Sequence, residues 1–272
     1  MRVKVDGVFI NYELAGKGPC LALIHGLGGS LQVWHSQVLA FSKRYQVLTW
    51  DVRGFGGSDR PRGEYSAQLF ASDLARLLKK LGIGRACVLG HSMGGVIALR
   101  FALDYPELTA ALIVSASSSE VNPKAIEYWD GLAATIEKKG MEAVPFAPER
   151  FFSKGLAEKD PEFVAAYART RPTNDPRAYA RAARSMARYN YTSELGRIAC
   201  PTLVVVGDQD VVTPPGGSVI MHRRIPGSRL VIFKELGHWS YIEKPEAFNS
   251  AVLDFLAEVE KNRGFRGRSP RF

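Results

Sequence analysis

The sequence predicts an α/β fold: a mostly parallel sheet of eight strands, helices on both faces, and a helical segment inserted late in the chain. Three observations carry that expectation. Continuous apolar runs alternate with amphipathic helical patterns between residues 20 and 115, which is how strands buried on both faces of a parallel sheet read. The alternation stops at about Ser117 and resumes at Thr202, with helical patterns punctuated by Pro145, Pro148, Pro161, Pro172 and Pro176 in between. A tight turn, Gly90-His91-Ser92-Met93-Gly94, joins an apolar strand directly to a helix.

Taken in order, residues 2–5 and 8–14 alternate in polarity around Asp6-Gly7, a hairpin dipeptide. Gly16-Lys17-Gly18-Pro19 breaks the chain before Cys20–Ile24, a buried strand that stops at His25-Gly26-Leu27-Gly28-Gly29. Ser30 is a candidate cap for a helix carrying Leu31, Trp34, Val38 and Phe41 at helical spacing. Gln46–Trp50 is the next buried strand and runs into a Gly-rich loop, residues 51–59. A helix from about Ser66 to Lys80 is stopped by Gly82 and Gly84. The strand before Ser92, a helix to Tyr105 and a strand at 110–115 follow.

Within the insertion, residues 122–139, 160–169 and 175–190 read as helices. Arg177, Arg181, Arg184 and Arg188 share one face of the last, and Tyr179, Ala182, Met186 and Tyr189 share the other. The arginine row is expected to be a solvated face in preference to an anion site, and the apolar row to face the core or the substrate. Strands return at 202–206 and 229–234, with a short helical stretch between them. A last amphipathic helix starts near Pro245 and uses Phe248, Val252, Phe255 and Leu256. Residues 1–117 and 191–260 are thus expected to form the sheet core, 118–190 a helical cap, and 261–272 a basic, disordered tail.

Composition narrows the function classes. With 272 residues and 46% hydrophobic content the chain has material for a substantial core. The net charge is +9, and Lys261, Arg263, Arg266, Arg268 and Arg271 supply five of those charges with no acid among them. Such an end is expected to be solvated, so no nucleic-acid partner is expected. No apolar run reaches the ~18 residues of a membrane span, and the first residues lack the apolar core of a secretory leader. A soluble cytoplasmic protein is the expectation. Cys20, Cys87 and Cys200 show neither Cys-x-x-Cys nor metal-ligand spacing, and are read as buried free thiols in a reducing compartment. No metal or cofactor is implied, and oligomeric state is not legible.

The chemistry centres on Ser92. A turn this tight holds the serine in a strained conformation with its hydroxyl clear of the sheet, while Gly90 and Gly94 avoid clashes and Gly95 lets the helix pack closely. The Met93 N–H then sits at a helix N-terminus, where an oxyanion can be held. A hydroxyl needs a base. Of His25, His35, His91, His222 and His238, the best base is His238, which follows a strand, after Gly237, at the carboxyl edge where ligands bind in such sheets. His25 is read as a brace for its own loop, and His91 as pointing away from its neighbour Ser92. The imidazole needs a carboxylate. Asp208 and Asp210 both follow a strand and both satisfy the order serine, acid, histidine, so spacing leaves the choice open. Leu27 N–H, in the loop after an earlier strand, is placed for the second oxyanion donor.

With these residues in view, the chain resembles the α/β-hydrolase superfamily over nearly its whole length. The likeness rests on His25-Gly26-Leu27-Gly28-Gly29, Asp51-Val52-Arg53-Gly54-Phe55-Gly56-Gly57-Ser58-Asp59, Gly90-His91-Ser92-Met93-Gly94-Gly95, Gly207-Asp208-Gln209-Asp210 with Pro214, and Gly237-His238. The resemblance implies an α/β-hydrolase fold. It selects Asp210 over Asp208, making Ser92, Asp210 and His238 the triad and Leu27 and Met93 the oxyanion hole. Serine at position 92 separates the chain from dehalogenases and epoxide hydrolases, which carry aspartate there. Small bacterial esterases, 3-oxoadipate enol-lactonases and cofactor-free haloperoxidases look most similar.

The expected function is hydrolysis of a small carboxylic ester or lactone. Carbon–carbon hydrolysis and haloperoxidase chemistry with the same triad are alternatives, and a ligand receptor that keeps the triad is an alternative of another class. Trp129, Phe146, Phe151, Phe152 and Trp239 are candidate pocket residues, with Leu27 beside them. Arg53 and the arginines of the insertion are candidate partners for a substrate carboxylate.

Overall fold

The computed structural model describes residues 1–143, 147–169 and 173–263. Eight strands form one sheet: β1 (Arg2–Val5), β2 (Val8–Ala15), β3 (Cys20–Ile24), β4 (Gln46–Trp50), β5 (Ala86–His91), β6 (Thr109–Ser115), β7 (Thr202–Gly207) and β8 (Arg229–Phe233). Their spatial order is β1-β2-β4-β3-β5-β6-β7-β8. The β1–β2 and β2–β4 pairs are antiparallel and every other pair is parallel. Every residue of β3, β5, β6 and β7 is buried, as the continuous apolar runs require, whereas edge strands β1 and β8 are partly exposed.

Successive strand residues point to opposite faces, so the sheet has two apolar layers. One holds Ala22, Leu48, Val88, Leu112 and Val204, packed against α2 (Ala67–Lys80) and α3 (Met93–Asp104). The other holds Leu23, Val47, Leu89, Ile113 and Val205, packed against α1 (His35–Phe41) and α10 (Pro245–Arg263). Ser66 caps α2 by accepting the Leu69 N–H at 3.1 Å.

Between β6 and β7 the chain forms α4 (Pro123–Lys139), α5 (Lys154–Lys159), α6 (Pro161–Arg169) and α7 (Pro176–Ser185), and after β7 come α8 (Pro215–Arg224) and the short α9 (Ser240–Glu243). Ala133 and Ile136 of α4 pack against Ala180 and Ala183 of α7. The helix expected over 175–190 stops at Ser185. Its continuation is drawn into a backbone stem in which Tyr191 N–H donates to Ser119 O at 2.7 Å and Val121 N–H to Tyr189 O at 3.2 Å.

The arginine row is exposed or partly exposed, as expected of a solvated face, and three of its members also make surface contacts. Arg184 pairs with Glu137 of α4, Arg188 lies 3.0 Å from Asp130, and Arg181 donates to Pro61 O at 3.2 Å while its guanidinium lies over the Tyr65 ring. Arg181 and Arg184 therefore tie α7 to its neighbours, and Arg188 ties the segment after it to α4. Cys20 and Cys87 are buried, but Cys200 is only partly so. No described helix is long and apolar enough to cross a membrane. The expected tail lies outside the described residues from position 264 onward.

Candidate active site

Ser92 stands between β5 and α3 with φ 56° and ψ −120°, a conformation costly for any residue with a side chain. It is held by its surroundings. Its N–H donates to Ser115 O at 2.9 Å, and its carbonyl accepts from Gly95 N–H at 2.8 Å and Ser117 Oγ at 2.9 Å. A Cβ on Gly90 would collide with the backbone of Gly94, and one on Gly94 with the carbonyl of Ile24, so the strand and helix approach this closely only without side chains. The Ser92 side chain makes no capping bond to α3.

The loop after β7 carries Asp210. Its Oδ1 accepts the N–H groups of Val212 and Thr213, both at 2.8 Å, and its Oδ2 accepts Thr213 Oγ1–H at 2.7 Å. His238, in the loop after β8, donates from Nδ1 to Asp210 Oδ2 at 2.8 Å. Geometry thus separates the two candidate acids, since Asp208 instead accepts the Glu235 N–H at 2.7 Å and faces Lys234. Asp210 and His238 are 3% and 2% exposed, so their attraction is little screened. Burial alone would push the Asp210 carboxyl up. The charge of His238, with hydrogen bonds from His238 and Thr213, outweighs burial and holds it below the ordinary aspartate value. With Nδ1–H committed to Asp210, His238 Nε2 is left as an acceptor. Ser92 and His238 line one cavity. Among the described residues Ser92 Oγ makes no hydrogen bond to His238, and such bonds often tighten only around substrate.

The loop after β3 completes the edge. His25 donates from Nδ1 to Gly26 O at 2.8 Å and accepts the Val52 N–H on Nε2 at 3.0 Å, which braces its own loop against the one after β4. Asp51 Oδ1 accepts the Leu31 N–H at 2.7 Å from the other side. Among the described residues, neither Leu27 N–H nor Met93 N–H has a hydrogen-bond acceptor in the protein. His91 is fully buried, with its ring 4.7 Å from that of His238. Burial holds its imidazole well below the usual histidine value, and the nearby His238 charge pushes the same way.

The cavity has a volume of about 770 Å³. Leu27, Trp129, Phe151 and Trp239 line it as expected from the sequence. Phe152 does not. It is 2% exposed and packs inward on Phe163, Tyr167 and Trp239, just after the 3₁₀ turn that ends at Phe151. Phe146 lies outside the described residues. Arg53 is also corrected as a substrate contact, since it forms a buried bidentate pair with Asp73. Sequence reasoning missed two groups at this site and did not single out a third, Arg150, among the arginines of the insertion. Thr213 braces Asp210, and its spacing of three residues from an aspartate was the available signal. Glu243 accepts Gly237 N–H at 2.8 Å and Ser153 N–H at 3.0 Å, and Arg150 stands on the cavity wall. Neither of these carries a local pattern.

The sequence profile of the alpha/beta hydrolase fold family matches residues 19–245. The 3-oxoadipate enol-lactonase 2 of Acinetobacter baylyi is 31% identical over 90% of this chain and 92% of its own length. The crystal structure of the enol-lactonase from Burkholderia xenovorans superposes with a TM-score of 0.87 at 27% identity, covering 94% of this chain and all of that one. A thermophilic esterase from Thermogutta terrifontis superposes with a TM-score of 0.87 at 29% identity, covering 95% and 99% of the two chains.

Proposed function

Because the chain belongs to the alpha/beta hydrolase fold family, we propose that it is a serine hydrolase that cleaves a small carboxylic ester or lactone through an acyl-enzyme on Ser92. The observation that carries this reading is the buried His238–Asp210 hydrogen bond of 2.8 Å beside the cavity that Ser92 also lines. In this reading His238 Nε2 takes the Ser92 Oγ proton as Oγ bonds to the carbonyl carbon. The unpaired N–H groups of Leu27 and Met93 receive the oxyanion. The bond to the leaving alkoxide then breaks and His238 returns the proton to it. Water, deprotonated by His238, attacks the acyl group, releasing the acid and restoring Ser92. Helices α4–α7 act as the cap, since residues of α4, α6 and α7 supply much of the cavity wall. Likeness to both enol-lactonases and an esterase supports a carbonyl between carbon and oxygen without choosing between ring and open chain. Free cysteines support a reducing compartment such as the cytoplasm.

The test is turnover of a chain-length series of p-nitrophenyl esters beside a panel of lactones, by wild type and Ser92→Ala. Expected is steady hydrolysis that falls by at least about 10⁴-fold in the variant. Activity that survives Ser92→Ala removes the nucleophile assignment.

A further inference from the structure

We propose that Arg150 is a specificity-determining residue that binds a carboxylate on the substrate, so that the preferred ester or lactone carries a second, anionic group separated from the scissile carbonyl by an apolar spacer. This rests on the serine-hydrolase reading for what happens at Ser92, but not for the binding itself. Among the described residues the cavity wall includes no aspartate and no glutamate, and Arg150 is its only lysine or arginine. Elsewhere Arg2, Arg53, Arg100, Arg184, Arg188 and Arg229 all have carboxylate partners, whereas Arg150 forms no ion pair among the described residues. Its contacts are to Tyr128 of α4: the guanidinium lies 5.7 Å from the ring centroid, and Nη1 is 3.4 Å from the hydroxyl. A cation resting on an aromatic face, with one of five N–H donors engaged, keeps a two-pronged edge for a carboxylate.

The backbone that carries Arg150 is fixed beside the reacting groups. Residues Pro148–Arg150 form a single 3₁₀ turn closed by Phe151 N–H donating to Pro148 O at 2.9 Å. The next carbonyl, Phe151 O, accepts the Trp239 N–H at 3.0 Å, and the Phe151 ring stacks on Trp239 at 4.6 Å and lies 5.9 Å from the His238 ring. The wall that Arg150 shares with Ser92 also carries Trp129, Leu132, Phe151 and Trp239, which suit methylenes. Of the arginines that the sequence offered for this task, Arg53, Arg181, Arg184 and Arg188 are committed elsewhere, as described above.

The experiment separates binding from turnover. Ser92→Ala protein is titrated calorimetrically with the monomethyl and dimethyl esters of glutaric and pimelic acids, with and without Arg150→Gln. The same esters are then assayed as substrates of wild type and Arg150→Gln. The monoester anion is expected to bind about tenfold more tightly than the neutral diester, and this ratio is expected to fall toward one in Arg150→Gln and with added salt. Arg150→Lys, which keeps the charge and loses the fork, is expected to retain part of the preference. Equal binding of monoester and diester, or a preference unchanged by Arg150→Gln, overturns the assignment. A binding preference without turnover upholds Arg150 and removes the hydrolase reading, while turnover without the preference does the reverse.

Discussion

At the scale of single residues, the hydroxyl of Thr213 and the two buried histidines beside the site make separate claims. Thr213 Oγ1 lies 2.7 Å from Asp210 Oδ2 and 3.2 Å from His238 Nδ1, so it restrains the carboxylate oxygen that orients the imidazole. Thr213→Val keeps the shape and removes the donor. On the proposed mechanism, kcat is expected to fall about tenfold with KM little changed, because one hydrogen bond to a charged group contributes about 1.5–3 kcal/mol, part of which the two backbone donors retain. Thr213→Ser should restore most of it. An unchanged kcat in Thr213→Val would remove the hydroxyl from the account. His25 and His91 bear on stability instead. Burial lowers both below the ordinary histidine value of 6.5, with the Asp51 charge opposing at His25. Below about pH 6.5 the unfolded chain therefore binds protons that the folded chain refuses, and stability falls as pH falls. Asp210, held below the ordinary value of 3.8, adds a second loss as pH drops below about 4. Urea midpoints measured from pH 8 to pH 5 should be flat above 7 and decline below about 6.5. A flat curve to pH 5 would mean that these imidazoles accept protons in place.

At the scale of elements, Glu243 of α9 is the joint between the inserted helices and the His238 loop. Its two carboxylate oxygens receive Gly237 N–H and Ser153 N–H, and the segment 151–153 passes so close over Gly237 that a Cβ there would meet Phe152 C at 2.6 Å and Phe151 O at 2.8 Å. Glu243→Ala leaves two backbone donors without their acceptor, at about 1–3 kcal/mol for each that water does not reach. Hydrogen exchange should accelerate at the amides of Gly237 and Ser153, with a lower melting temperature, whereas Glu243→Gln should be milder because one acceptor oxygen remains. Unchanged exchange at both amides would count against the bridge. This joint also explains what was legible beforehand. The strands were readable because burial on both faces demands unbroken apolar runs such as Cys20–Ile24, and the turn at Ser92 because only Gly90 and Gly94 fit its contacts. The choice between Asp208 and Asp210 was not readable from residue patterns alone, since both follow β7 and only the approach of β8's loop decides. Arg150, Phe152 and Glu243 were not readable either. Their roles come from packing between separate segments, 22 residues apart for Arg150 and Tyr128 and 90 for Glu243 and Ser153, which leaves no period in the chain.

At the scale of the whole molecule, the site depends on loops from separate strands being held in place, and the Arg53–Asp73 pair is one of the buried ties. Arg53 Nε lies 2.5 Å from Asp73 Oδ2, and their side chains are 9% and 0% exposed. The pair fastens the loop after β4 to α2. That loop in turn passes the restraint on, because Val52 N–H donates to His25 Nε2, and His25 Nδ1–H donates to Gly26 O next to Leu27. Removing one partner strands the other charge in an apolar layer, so Arg53→Met is expected to cost about 3–5 kcal/mol. Replacing both with apolar groups, Arg53→Met with Asp73→Leu, removes the charges together and should recover most of that loss. The two variants therefore distinguish an electrostatic tie from a steric one in urea denaturation. If the single variant is as stable as wild type, the pair is not a tie at all. If the double variant is no better than the single, the guanidinium fork matters for its shape, and the loop that carries Leu27 N–H should then lose its register and its contribution to turnover with it.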